Sequence, residues 1–185
     1  MACSYFVSVS TRNCCQNKLA WVANFNGIAA YPRRPGCQQK NKLVRRGIIQ
    51  AVNIRCGAGC GFDETESHLF LHCTLFCSLW QPVRSWIDIS GVDPQNIHDH
   101  FTQFIHYRGH SRTCRSFLQL VWLFCIWLVW TGRNNKLFNN IQTPILQILE
   151  KVKHNSYWLL KANNTTFLFG SQRWWSDPLL CLGID

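Results

Sequence analysis

CGAGCGFDETESHLFLHC, residues 56–73, decides how this chain is read. It holds Cys56, Cys60, His68 and Cys73 in one short window, three sulfurs and an imidazole. A structural zinc site wants four such ligands in a tetrahedron, usually delivered as two local pairs. Cys56 and Cys60 form the first pair, CxxxC, with Gly57 and Gly59 between them so that the backbone can turn tightly round an ion. His68 and Cys73 form the second, HxxxxC. A rival set, Cys56, Cys60, Cys73 and Cys77, makes CxxxC twice, and residues four apart on a helix share a face. His68 and Cys73 are separated by about 140° on a regular helix. For both to reach one ion, His68 must lie in the turn before the helix proper. Cys73 has a plainer reading as well, a small buried hydrophobe on an apolar stripe.

Outward from this window, the chain of 185 residues is long enough for one ordinary domain, or for a small module with a helical extension. Apolar residues make up 47%, with nine Trp and twelve Phe, so a packed core is expected and disorder of the whole chain is excluded. Nineteen Lys and Arg stand against nine Asp and Glu, a formal charge of +10. Such an excess draws a protein to polyanions, nucleic acid or an anionic membrane surface. Arg33, Arg34, Lys40, Lys42, Arg45, Arg46 and Arg55 follow one another with no acid among them, immediately ahead of the Cys/His window. Arg33, Arg34, Arg45, Arg46 and Arg55 are the candidate phosphate-binding residues; the plainer reading is a solvated basic face.

The eleven cysteines are odd in number and show no paired framework. The first residues, MACSYFVSVSTRNCC, lack the basic start and long apolar run of a secretory signal. The expectation is a nuclear or cytoplasmic, reducing location and no secretion, where clustered cysteines are metal ligands rather than disulfides.

Three segments are expected. Residues 1–40 look irregular, with YPRRPG at 31–36 stopping any element. Residues 41–81 hold the zinc-binding module. NKLVRRGII gives a basic turn of helix closed by Gly47, AVNIRC a short strand into Cys56, and DETE at 63–66 a capping-box helix start with Asp63 as cap and Glu66 reaching back. The helix that follows carries Leu69, Cys73, Phe76, Trp80, Val83 and Ile87 toward a core, and Pro82 is expected to kink or end it near Gln81.

Residues 82–185 form a helical region. One helix is expected from Arg112 to Phe138, apolar on both sides, and another from Pro144 to about Ala162. The tail TTFLFGSQRWWSDPLL reads as a strand or an irregular strap. FLQLVWLFCIWLVW, residues 117–130, is shorter than the roughly 20 residues a membrane-crossing helix needs, so a buried helix is favoured over a span. The fold class is therefore mainly α, a small CCHC zinc-binding module followed by a Trp-rich helical region.

A polymerase or nuclease needs clustered acids to hold two Mg²⁺ ions, and the nine acids here are scattered. No Cys/His pair stands out as nucleophile and base, and no Gly-rich phosphate loop occurs. The chain is not expected to be an enzyme.

The order KLVRRGII, then CGAGCG, DETESHLFLHC and a following Trp80, resembles the reverse transcriptase zinc-binding domain of plant non-LTR, LINE-type retrotransposons. That family shows a helix end T-x-x-x-L-x-x-R-G, a Cys pair, a Glu, then H-L-F-x-x-C and a Trp. Here those places hold Leu43, Arg46 and Gly47, then Cys56 and Cys60, Glu64, His68, Leu69, Phe70 and Cys73, and Trp80. Trp127, Arg133, Asn134 and Phe138 look like the IW-x-x-RN-x-x-F helix that commonly follows. The first Cys pair departs from the family's commoner spacing of two intervening residues, and the polymerase domain is absent. The resemblance implies a Zn²⁺ ion on Cys56, Cys60, His68 and Cys73 rather than on Cys77, a nucleic-acid partner, RNA or DNA, and association with a reverse transcriptase. A structural or protein-interaction module without activity of its own is the second class of function. A membrane-associated protein held by residues 117–130 is the third.

Overall fold

Two units divide the chain, Met1–Gln38 and Gln39–Asp185. The computed structural model describes residues 44, 47, 54–91, 94–107, 112–163 and 169–183, all in the second. The irregular 1–40 segment and the residues Arg33, Arg34, Arg45 and Arg46 lie outside the described residues.

The architecture is mainly helical. A π-helical turn at His68–His72 and a 3-10 turn at Cys77–Leu79 lead into α1, Trp80–Trp86. α2 (Ile97–His106), α3 (Arg112–Asn139), α4 (Ile145–Asn163) and α5 (Ser171–Ser176) follow, and a 3-10 turn at Leu180–Leu182 closes the described chain. The expected boundary at residue 81 falls inside α1, and residues on both sides of it pack in one unit.

α3 is the axis of this unit because its sequence is apolar on every side. Trp122, Ile126 and Val129 are buried on one face and Val121, Phe124 and Leu128 on the other, and such a helix is stable in water only when wrapped by others. α2 and α4 lie against it. It ends where Asn140 turns left-handed, φ +52°, with its Oδ1 accepting from Lys136 Nζ at 3.1 Å. α4 starts as its sequence predicts, Pro144 supplying the carbonyl that accepts from Ile148 N–H, since proline has no N–H to lose at a helix start. Ile148, Leu149, Val152 and Tyr157 face inward.

The single helix expected through residues 66–81 is absent, yet its stripe survives. Leu69, Cys73, Phe76, Trp80, Val83 and Ile87 are all buried, carried inward by a π turn, an extended residue, a 3-10 turn and α1 in succession. Each large side chain among them contributes about 1.5–3 kcal/mol by leaving water. Pro82 does not end a helix. It stands in the first turn of α1, where N–H groups have no intrahelical acceptor in any case.

Trp80 joins the layers. Its indole N–H donates to Phe70 O at 2.7 Å, and its ring meets His100 at 4.3 Å, Phe104 at 5.8 Å and Trp122 at 6.4 Å between centroids. The tail is neither strand nor irregular strap: α5 seats Trp174 at zero exposure against Phe117 and Trp86. The Trp174 indole N–H donates to Lys153 O at 3.1 Å, so the aromatic run that suggested a strand is a short helix plugging the gap between α1, α3 and α4.

Candidate metal centre

Residues 54–64 fold back on themselves. Cys56 N–H donates to Phe62 O at 2.7 Å, Glu64 N–H to Ile54 O at 2.9 Å, and Arg55 and Asp63 form an antiparallel bridge. The strand expected over AVNIRC is thus one short arm of a hairpin, residues 51–53 lying outside the described residues. Between the arms, Gly59 N–H donates to Cys56 O at 3.0 Å, and Gly59 and Gly61 adopt φ of +83° and +88°. Those angles suit residues without a Cβ, so the glycines let one turn present Cys56 and Cys60 from the same side.

The second hook starts with a cap, though not the expected one. Thr65 Oγ1 accepts from His68 N–H at 3.0 Å, in the manner of an N-cap, while Asp63 is held in the hairpin bridge and Glu64 points inward. The chain then widens into the π turn His68–His72, and Cys73 N–H donates to His68 O at 2.6 Å. That i→i+5 bond brings together two residues that an α-helix would hold apart. His68 therefore sits at the start of the turn and Cys73 just past its end, extended at ψ 123°.

The structure brings Cys56, Cys60, His68 and Cys73 together, their ligand atoms all within 4.8 Å of one another. Cys60 Sγ stands 3.1 Å from His68 Nε2. Metal–sulfur bonds of about 2.3 Å and metal–nitrogen bonds of about 2.0–2.1 Å imply tetrahedral edges of about 3.5–3.8 Å, so closing on an ion asks for shifts of about 1 Å or less. Cys77 is half-buried and outside this group, its N–H donating to Cys73 O at 2.8 Å.

Backbone donors are already aimed at the sulfurs, Ala58 N–H at Cys56 and Leu75 N–H at Cys73; such bonds favour thiolate. The hydrogen bond from Cys56 to Cys73 pushes Cys56 far above the ordinary thiol value, with burial acting the same way, and draws Cys73 below it. Burial lowers His68 below the ordinary imidazole value, against the pull of the Glu64 and Asp63 charges, which keeps a ring nitrogen lone pair available. Three sulfurs and one imidazole, with N–H donors behind two of the sulfurs, fit a thiophilic metal ion.

Behind the hairpin lies a brace that the sequence reading did not assemble. Glu64, fully buried, accepts from Arg133 Nε at 2.9 Å and Nη2 at 2.6 Å, and its Oε2 also accepts from Gly57 N–H at 2.8 Å. Arg133, on α3, is itself 3% exposed. A Cβ on Gly57 would stand 2.7 Å from Arg133 Nε, so glycine between the first two ligands is required by the close approach of the guanidinium. The available signal was an arginine in register with Trp122, Ile126 and Val129 on an otherwise apolar helix, which calls for a buried anion.

Arg55 is exposed, and its Nη1 donates to Gly61 O, tying the guanidinium to the Cys56–Cys60 turn. Of the remaining described cysteines, Cys114, Cys125 and Cys181 are buried, and burial pushes the Cys125 and Cys181 thiols up, away from nucleophilic use.

No protein-family model, curated protein or solved structure matches the chain.

Proposed function

We propose that this chain is a non-catalytic, retroelement-derived zinc-binding module that holds Zn²⁺ on Cys56, Cys60, His68 and Cys73 and binds nucleic acid through its basic segment. The convergence of those four side chains carries the reading. Zinc is the ion favoured by a closed set of three thiolates and an imidazole with no redox demand. Arginines 33, 34, 45, 46 and 55 supply phosphate contacts, which give affinity but little sequence preference. The order of Leu43, Arg46, Gly47, the four ligands, Glu64 and Trp80 supports descent from the zinc-binding region of a LINE-type polyprotein, with the reverse transcriptase itself as a further partner.

Metal analysis of the purified chain tests the first half. One zinc per chain is expected in wild type and Cys77→Ser, and less than one in His68→Ala; equal metal in wild type and His68→Ala overturns the ligand set. For the second half, affinity for nucleic acid falls steeply with salt, and a flat salt series refutes phosphate binding.

A protein-interaction reading is favoured by the turn between α3 and α4, where Phe138, Ile141 and Leu146 are 71%, 60% and 71% exposed. Under that reading Phe138→Ser and Leu146→Ser abolish capture of a reverse transcriptase partner while leaving nucleic-acid affinity intact.

A further inference from the structure

One exposed face of α4 carries cations and an aromatic ring, and Lys161 on it also donates to the Oη of the buried Tyr157 at 3.3 Å. Lys151, His154, Trp158 and Lys161 are all exposed, and at 100° per residue they fall within about 80° of one another. Of the described tryptophans, Trp80, Trp86, Trp122, Trp130 and Trp174 are buried, whereas Trp158 is 45% exposed. Its ring is held rather than loose, since the His154 ring stands edge-on at 6.1 Å, the Tyr157 ring at 5.4 Å and the Lys161 ammonium 5.5 Å from its centroid. Trp175 extends the platform beside His154 and Tyr157, at 6.5 Å and 6.1 Å. One acid, Glu150, lies at the edge of this platform; its carboxylate accepts from Trp175 Nε1 at 2.6 Å and pairs with Lys153 at 3.7 Å, which offsets its charge.

From these observations we infer that the α4 stripe is a single-stranded nucleic-acid contact, with a base stacking on Trp158 and the neighbouring phosphates taken by Lys151 and Lys161. The inference rests on the nucleic-acid reading above and adds a surface to it on a different part of the chain from the basic segment. Stacking needs a π-face and phosphate binding needs cations beside it; Trp158 is 45% exposed with the Lys161 ammonium over its ring at 5.5 Å, and Lys151 and Lys161 flank it along about 15 Å of helix. The polyanion also complements a chain whose formal charge is +10. A lipid surface would need a broad apolar face to sink into the headgroups; here the Trp158 and Trp175 rings stand among Lys151, His154, Lys161 and Glu150.

The test is fluorescence anisotropy of a labelled oligothymidylate titrated with the zinc-loaded full chain. Trp158→Ala lowers affinity about 5- to 150-fold, the range set by loss of one stacked base, and Trp158→Phe keeps most of it. Lys151→Gln with Lys161→Gln makes the salt dependence shallower by about 1.4 in log–log slope, two contacts on a single strand. If wild type binds and Trp158→Ala binds equally well, the stripe is refuted while the nucleic-acid reading stands. A loss in Trp158→Phe as large as that in Trp158→Ala also overturns stacking. Absence of any oligonucleotide binding by wild type overturns both readings, and binding to phosphatidylserine vesicles in its place, lost in Trp158→Ala, would reassign the stripe to a membrane.

Discussion

Arg133→Met removes the guanidinium from a fully buried carboxylate and keeps a side chain of similar length in the core. Glu64 loses two charge-assisted hydrogen bonds, at 2.9 and 2.6 Å, while the Gly57 N–H bond at 2.8 Å remains. Breaking one side of a buried ion pair costs about 3–5 kcal/mol, because an anion is left in low dielectric without its counter-charge. The expected loss of unfolding free energy, measured with the proposed zinc at saturation, is therefore about 3–5 kcal/mol, against about 0–1 for an exposed pair. Urea unfolding followed by tryptophan fluorescence measures it, and an unchanged m-value shows that the variant still folds to the same extent. Zinc affinity, read by chelator competition, falls about 10- to 100-fold, since Gly57 lies between the first two ligands and the brace positions it. Glu64→Gln in the same chain removes the stranded charge while leaving an oxygen for Gly57 N–H, so the double variant recovers at least about half the loss. A cost below about 1 kcal/mol for Arg133→Met, or a double variant as unstable as the sum of the singles, would refute the brace.

Two further outcomes follow from individual contacts. Gly57→Ala places a methyl 2.7 Å from Arg133 Nε, and because that guanidinium is locked on Glu64 the expected cost is about 1–3 kcal/mol with weaker metal retention, measured by thermal unfolding with and without chelator. His100, buried beside Arg84, is lowered from 6.5 to about 4 and accepts from Trp122 Nε1 at its Nδ1, 3.0 Å. The unfolded chain binds the extra proton between those values, so this contribution is complete above pH 6.5 and is lost as pH falls toward 4, by about 3 kcal/mol. His100→Gln keeps an acceptor for the indole and flattens that part of the stability–pH curve; parallel curves for variant and wild type would contradict it.

The sequence made the Cys/His cluster and the buried stripe legible, because both depend on residue type and spacing. Leu69, Cys73, Phe76, Trp80, Val83 and Ile87 face inward as their spacing requires, even though four kinds of local backbone carry them. The path between them was not legible. A π turn is selected by what it brings together, here His68 with Cys73, and no local propensity announces it. DETE was misread for a related reason: acids before an apolar run are ordinarily a helix cap, but Glu64 gains more from a buried arginine on α3 than from an exposed helix terminus. The tail followed the same logic, its aromatic residues suggesting a strand until tertiary packing of Trp174 fixed a short helix.

The sequence reading favoured a buried helix over a span because residues 117–130 looked too short, but the helix that carries them, α3, runs from Arg112 to Asn139. It is long and apolar enough to cross a bilayer, yet 67% of its most apolar window is buried inside the protein. Polar side chains on it find partners inside the fold. Trp122 donates its indole N–H to His100 on α2, and Arg133 donates two N–H groups to Glu64 beside the Cys56–Cys60 turn. Hydrocarbon offers neither acceptor, and an arginine facing lipid would be costly. The group that closes α3's polar end also fixes the amide of Gly57, so an ion that tightens the Cys56–Cys60 turn tightens the seat of the arginine with it. If the cluster holds the proposed ion, its binding and the packing of the helical region are parts of one folding equilibrium, in which ligand free energy adds to the stability of residues far from the site.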